Sequence, residues 1–253
     1  MSYIRHQECV LEINGTKLLG LDAQVSASSS VAENRVYGGK MLGYEAVSPL
    51  DAGLSFKYYV TGKKDIISSL TGMKPCSGKF CGISFSGAYL TNYSVDIEPY
   101  RPITFGASFV IHSGYKNETS TGSFAGITSG LANGAFSEVR NFNKNNIGLD
   151  FPNKISYSID CERIPNYVIG HEYPQDVRLG TVYKRFSIAG ENIGNFIEFS
   201  GRDFAKISTQ PKNRDGITRG EELNCFGRVT SQDLSVSKNN MMQGQIEVME
   251  SVR

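Results

Sequence analysis

The sequence predicts an all-β chain: two tandem β-barrel or sandwich domains, each with a short flanking helix. Three observations carry that prediction. The hydrophobic period is two along most of the chain. Turn residues cut that pattern into short runs. A pair of segments in the first half also lies over a pair in the second half at one shared offset of 139 residues.

The strands follow in order. Leu11 and Ile13 alternate with Glu12, and Leu54, Phe56, Tyr58 and Val60 form the next clear run. Cys81, Ile83 and Phe85 follow, then Tyr93, Val95 and Ile97. Ile103, Phe105, Ala107, Phe109 and Ile111 are five apolar residues in strict alternation, which predicts a strand with those side chains in the core. Asn14-Gly15, Gly38-Gly39, Thr61-Gly62, Ser86-Gly87 and the Pro99 to Pro102 segment supply the turns. Thirteen Tyr, fourteen Phe and no Trp suit half-buried pleated surfaces. One segment departs from period two. Asp65–Leu70 places Ile66, Ile67 and Leu70 on one helical face, with Asp65 as N-cap and Gly72 as stop, and predicts a two-turn helix.

Gly, Ser and Thr fill 12 of the 23 positions from 113 to 135, which marks a linker. The expected domains are therefore 1–114 and 138–253, with 115–137 between them. At the 139-residue offset, Tyr58–Lys63 lies over Ile197–Arg202, and Leu90–Ile97 lies over Val229–Val236. In the second half, Phe204–Ile207 takes the place of the helix Asp65–Leu70, and 170–193 takes the place of a long loop at 26–52.

Composition excludes several classes of function. Lys and Arg number 26 against 25 Asp and Glu, so the chain lacks the basic footprint of a phosphate-gripping protein. No apolar stretch approaches the ~20 residues of a membrane helix, so no membrane insertion is expected. Met1–Glu12 lacks an apolar h-region, and the expectation is a protein not exported by a signal peptide. Five cysteines, an odd number without paired metal-ligand spacing, read as free thiols, with a Cys76–Cys81 bridge the one alternative.

No catalytic constellation emerges. His6, His112 and His171 are isolated from one another, and neither a Gly-x-Ser-x-Gly elbow nor a phosphate-binding glycine loop is present. His171, Glu172 and Asp176 read as a solvated loop rather than a carboxylate–imidazole pair, and Asp96 and Glu98 as the wet face of a strand. No catalytic residue, metal or cofactor is expected.

The long stretches are more informative. Residues 26–52 hold few alternating apolar positions, yet contain Val36, Tyr37, Met41, Leu42 and Tyr44 with Gly38 and Gly39. Excursions of that length are functional or disordered, and this apolar content points to docking against a neighbour. In the second half, Tyr173, Val177 and Tyr183 take the same part.

The order of two strands, a long loop, a strand, a short helix and Tyr/Thr/Ser-rich strands resembles the tube domain of bacteriophage tail proteins. The resemblance rests on Leu54–Val60, on Asp65–Leu70, and on Phe85–Ile97 with its partner Pro102–Ile111. It implies a structural virion protein whose inner strands continue from subunit to subunit around a channel and whose long loop reaches the adjoining ring. It also implies assembly in the host cytoplasm and self-association into stacked rings. The implied neighbours are sheath, baseplate or tape-measure proteins, with genomic DNA only passing through the lumen. Two such domains in one chain would let three chains imitate a sixfold ring. Tube, hub and neck roles stay open. The alternative from another class is a capsid-decoration or receptor-binding module.

Overall fold

The structure, a computed structural model, describes residues 10–35, 37, 39, 41–46, 48–72, 74–117, 130–141, 152–191, 204–235 and 243–252, without the side chains of 42, 44–46, 141 and 191. The described chain is all-β. Its strands are β1 Leu11–Ile13, β2 Thr16–Ser28, β3 Val31–Arg35, β4 Met41–Ala46, β5 Asp51–Tyr59, β6 Cys76–Phe80, β7 Ile83–Ile97, β8 Thr104–Ile111 and β9 Tyr115–Asn117 in the first half. The second half has β10 Glu138–Asn141, β11 Pro152–Asn166, β12 Asp176–Glu191, β13 Phe204–Gln210, β14 Leu223–Ser235 and β15 Gln243–Val252.

Strands β1, β2, β5, β8, β7 and β6 pair in that order and close into a six-stranded barrel through the β7–β8 ladder. The expected core strand is confirmed. Ile103, Phe105, Ala107, Phe109 and Ile111 are all buried, and Phe109 stacks on Phe56 with ring centroids 5.9 Å apart. From β7 the same sheet runs on through β11, β12, β15, β14, β13 and β10. Buried side chains from both sets of strands belong to one contiguous core.

The two sets share their pairing pattern. In the first, β2 pairs β5, β5 pairs β8, β8 pairs β7, β7 pairs β6 and β6 pairs β1. In the second, β11, β12, β15, β14, β13 and β10 pair in the same succession. The β1–β2 pairing has no counterpart between β10 and β11 among the described residues.

The bulges coincide as well. Leu90 faces Phe109 and Asn92 faces Ser108, leaving Thr91 as the extra residue. Val229 faces Val248 and Ser231 faces Glu247, leaving Thr230 extra, each position displaced by 139. Thr91 donates its hydroxyl to Ser108 O at 3.0 Å, and Thr230 donates to Glu247 O at 3.4 Å. A bulge re-aims a strand and is a built feature of a sheet. A second one lies between Gly20 and Asp22 opposite Tyr58 and Lys57, and recurs between Pro152 and Lys154 opposite Gly190 and Ala189. Here the displacement is 132. Tyr58 therefore corresponds to Gly190 and not to Ile197, which lies outside the described residues.

Three other expectations need correction. Asp65–Leu70 is not a two-turn α-helix but a turn leading into a short 3-10 helix at Ser68–Thr71. The Asp65 carboxylate does accept from the Ile67 N–H at 3.0 Å, but both tyrosine hydroxyls above it hold it toward the barrel. Phe204–Ile207 is not a helix counterpart but the start of β13. Most of 170–193 is not loop but β12, whose inward Phe186 and Ile188 are buried.

The two sets are clamped together. β7 and β11 pair from Asn92–Asp160 to Ile97–Ile155. Arg163 of β11 donates to Leu90 O and Gly72 O, both at 2.8 Å, and more loosely to Leu70 O and Thr71 O. Of the linker expected at 115–137, residues 118–129 lie outside the description. Its last residues are docked: Ile103 N–H donates to Ala132 O and Asn133 N–H to Lys212 O, each at 2.9 Å.

Candidate assembly surfaces

Two hairpin arms leave the same end of the sheet. The first continues the β2–β5 pair into a separate two-stranded sheet of β3 and β4. Ser30 N–H bonds to Ser48 Oγ at 3.0 Å across the joint, and Glu33 pairs with Arg35 at 2.6 Å. What reads as an unstructured excursion is therefore a β-ribbon, none of whose described side chains is buried. The second arm is the β11–β12 hairpin, whose tip is closed by Gln175 N–H donating to Asn166 O at 3.0 Å. It folds back on the base of the first arm, since a Cβ added at Gly114 would stand 3.3 Å from Leu50 and 3.9 Å from the Tyr173 hydroxyl.

Both arms carry exposed apolar side chains: Val31, Tyr37 and Met41 on the first, Ile164, Tyr167 and Ile169 on the second. Of the residues the sequence singled out, Tyr37 is fully exposed and Gly39 takes φ +81° at the ribbon's turn, where a residue with a Cβ would be strained. Met41, Tyr173 and Tyr183 are exposed. Leu42 and Tyr44 lie on β4 with their side chains outside the description, and Val36 and Gly38 lie outside it entirely. Val177 is buried within the chain, which leaves it no surface to offer a neighbour. Val31, Ile164, Tyr167 and Ile169 were missed. The run Tyr167-Val168-Ile169 before Gly170 was the available signal, an apolar cluster at a turn.

Away from the arms, β14, β15, β12, β11, β7, β8, β5 and β2 form a continuous eight-stranded run. Part of its outer face is a polar groove of about 430 Å³ lined by Asp22, Gln24, Ser55, Lys57, Ser94 and Ser108. One carboxylate, Asp22, and one lysine, Lys57, stand there with the hydroxyls of Ser55, Ser94 and Ser108. The end strands of this run have free edges among the described residues. β2 pairs β1 only through Thr16–Leu18, and among the described residues the rest of that edge carries no strand. β14 pairs β13 only through Leu223–Arg228, and among the described residues Ser231–Ser235 likewise carry no strand on that edge.

The titratable groups serve structure. Tyr58 and Tyr93 donate to Asp65 Oδ2 at 2.6 and 2.9 Å in the barrel interior. Burial pushes the Asp65 carboxyl above its usual range, against the three hydrogen bonds that pull it down, and drives both tyrosines well up. Cys76, Cys161 and Cys225 are free thiols, and burial pushes Cys76 and Cys225 up to about 12. Among the described residues no group of side chains could hold a metal ion, and no helix is long and apolar enough to cross a membrane. The chain matches no protein-family model and no curated protein.

Proposed function

We propose that this chain is a ring-forming structural subunit of a phage tail tube, composed of two tandem tube-like β units. The observation that carries the proposal is the eight-stranded run, with a groove holding polar side chains on the outer face of β2, β5, β8 and β7, end strands whose edges are open among the described residues, and two apolar-tipped arms leaving one end. A free sheet edge is an aggregation hazard unless a partner covers it, and closed cyclic symmetry limits its growth. The groove, with Asp22 and Lys57 balancing each other among serines, suits a channel wall that lets DNA pass without gripping it. The arms suit contact with the next ring, because exposed Tyr and Met are favoured at interface cores. The recurrence of two bulges at matched positions supports descent of both units from one ancestor. The implied partners are further copies of the chain and adjoining tail proteins, with no cofactor and no catalytic role.

The test is sedimentation and electron microscopy of purified protein, with and without residues 33–46. Wild-type chains should form rings that stack into tubes. The truncated chain should keep its β circular dichroism and form rings that do not stack. Single chains at every concentration would refute the reading.

A further inference from the structure

The two free edges are related to a joint the chain already makes. Within the chain, the edge of β7 at Asn92–Ile97 is filled by β11 at Ile155–Asp160. The matched bulges put Asn92–Asp96 in correspondence with Ser231–Ser235, displaced by 139, and Ile155–Asp160 with Ala23–Ser28, displaced by 132. The correspondents are the two segments whose edges carry no strand among the described residues.

We infer that β14 of one chain pairs antiparallel with β2 of a second copy, repeating the β7–β11 joint in the same register. Ser231 then faces Ser28, Asp233 faces Ser26, Leu234 faces Val25 and Ser235 faces Gln24. This deepens the ring-subunit reading and rests on it.

Side-chain chemistry fits pair by pair. Inside the chain, Asn92 donates to Asp160 Oδ1 at 2.6 Å and Ser156 donates to Asp96 Oδ1 at 2.9 Å. The corresponding pairs, Ser231 with Ser28 and Ser235 with Gln24, are polar again. Val95 faces Tyr157 in the chain, and Leu234 facing Val25 is apolar again. Val95 is 0% exposed, whereas its correspondent Leu234 is 46% exposed and has no neighbouring strand on that edge among the described residues. The Gln232 amide, at the position of Tyr93, has both polar ends buried without a hydrogen-bond partner in the chain. A buried amide without partners is costly, and this one lies on the segment that the second copy would cover. The contact is head-to-tail, one edge meeting a different edge, so it generates a ring when the rotation closes.

The experiment is mild oxidation of the full chain carrying Ser26→Cys with Asp233→Cys. The comparisons are each single variant and the displaced pair Ser26→Cys with Ser231→Cys. Directly facing residues bring their Cα atoms into disulfide range, and a two-residue displacement takes them out of it. The matched pair should link chains into a ladder, at more than about fivefold the yield of the displaced pair. Leu234→Lys should abolish ring formation in sedimentation while leaving circular dichroism and melting unchanged, since the residue is exposed in the single chain. Rings that form without matched cross-linking, or with the displaced pair linking better, would overturn this joint and leave the ring reading standing. Wild-type chains that never associate would overturn both.

Discussion

Replacing Asp65 by alanine removes the acceptor for three donors inside the barrel. The Tyr58 and Tyr93 hydroxyls reach its Oδ2, and the Ile67 N–H reaches Oδ1. Tyr58 and Tyr93 are almost wholly buried, so water cannot replace the lost partner. A buried donor left unpaired costs about 1–3 kcal/mol, and the three together should cost about 3–5 kcal/mol after local relaxation. Asp65→Ala should therefore lower the urea midpoint strongly at constant m-value. The pH dependence gives a second readout. The folded-state pKa of Asp65 is raised by burial, so between the ordinary carboxylate value and the raised one the native state holds more protons than the unfolded state. Stability then falls as pH rises through that window, by up to about 1.4 kcal/mol per pH unit. The difference between wild-type and Asp65→Ala profiles should carry that slope. Tyr58→Phe, by removing a hydrogen bond that favours the charged form, should extend the window upward. A cost below about 1 kcal/mol for Asp65→Ala, or identical pH profiles in the two proteins, would refute the reasoning.

Three further outcomes are expected. Phe109→Ala should destabilise by about 3–5 kcal/mol in urea titration, because it empties a core position stacked on Phe56. Arg163→Met keeps the aliphatic stem but loses the donors to Leu90 O and Gly72 O, and should cost about 1–3 kcal/mol with faster amide exchange at the β7–β11 joint. Gly134→Ala would drive a Cβ into Glu98 O, so the segment before β10 must shift, at about 1–3 kcal/mol in thermal melts.

The first barrel was legible because its strands each bury one face. Ile103–Ile111 alternates without interruption, and period two is what a half-buried strand writes into a sequence. The ribbon of β3 and β4 buries no core, so Val31–Arg35 carries no alternation and reads as loop. β12 was misread for another reason. A register shift stands between Leu179 and Val182 opposite Arg163 and Cys161, and breaks the period where the strand would otherwise declare itself. The short helix was overestimated because Ile66, Ile67 and Leu70 match a helical face, while the pull of two tyrosines on Asp65 comes from distant strands. Of the surfaces, Tyr37, Met41 and Tyr173 were legible as apolar residues among polar ones. The free edges of β2 and β14 were not, since which edge a strand leaves unpaired is decided by long-range register. The offset of 139 was the one sequence signal that led to them, and it held for Leu90–Asp96 over Val229–Ser235, where the bulges coincide.

Cryo-electron microscopy of the assembled wild-type protein tests the central claim most directly. The account predicts a closed ring around a channel. Each chain should contribute β14, β15, β12, β11, β7, β8, β5 and β2 in that order to one unbroken β wall, with both arms on the face that meets the next ring. A particle in which chains touch through other surfaces, with the edges of β2 and β14 bare, would contradict it.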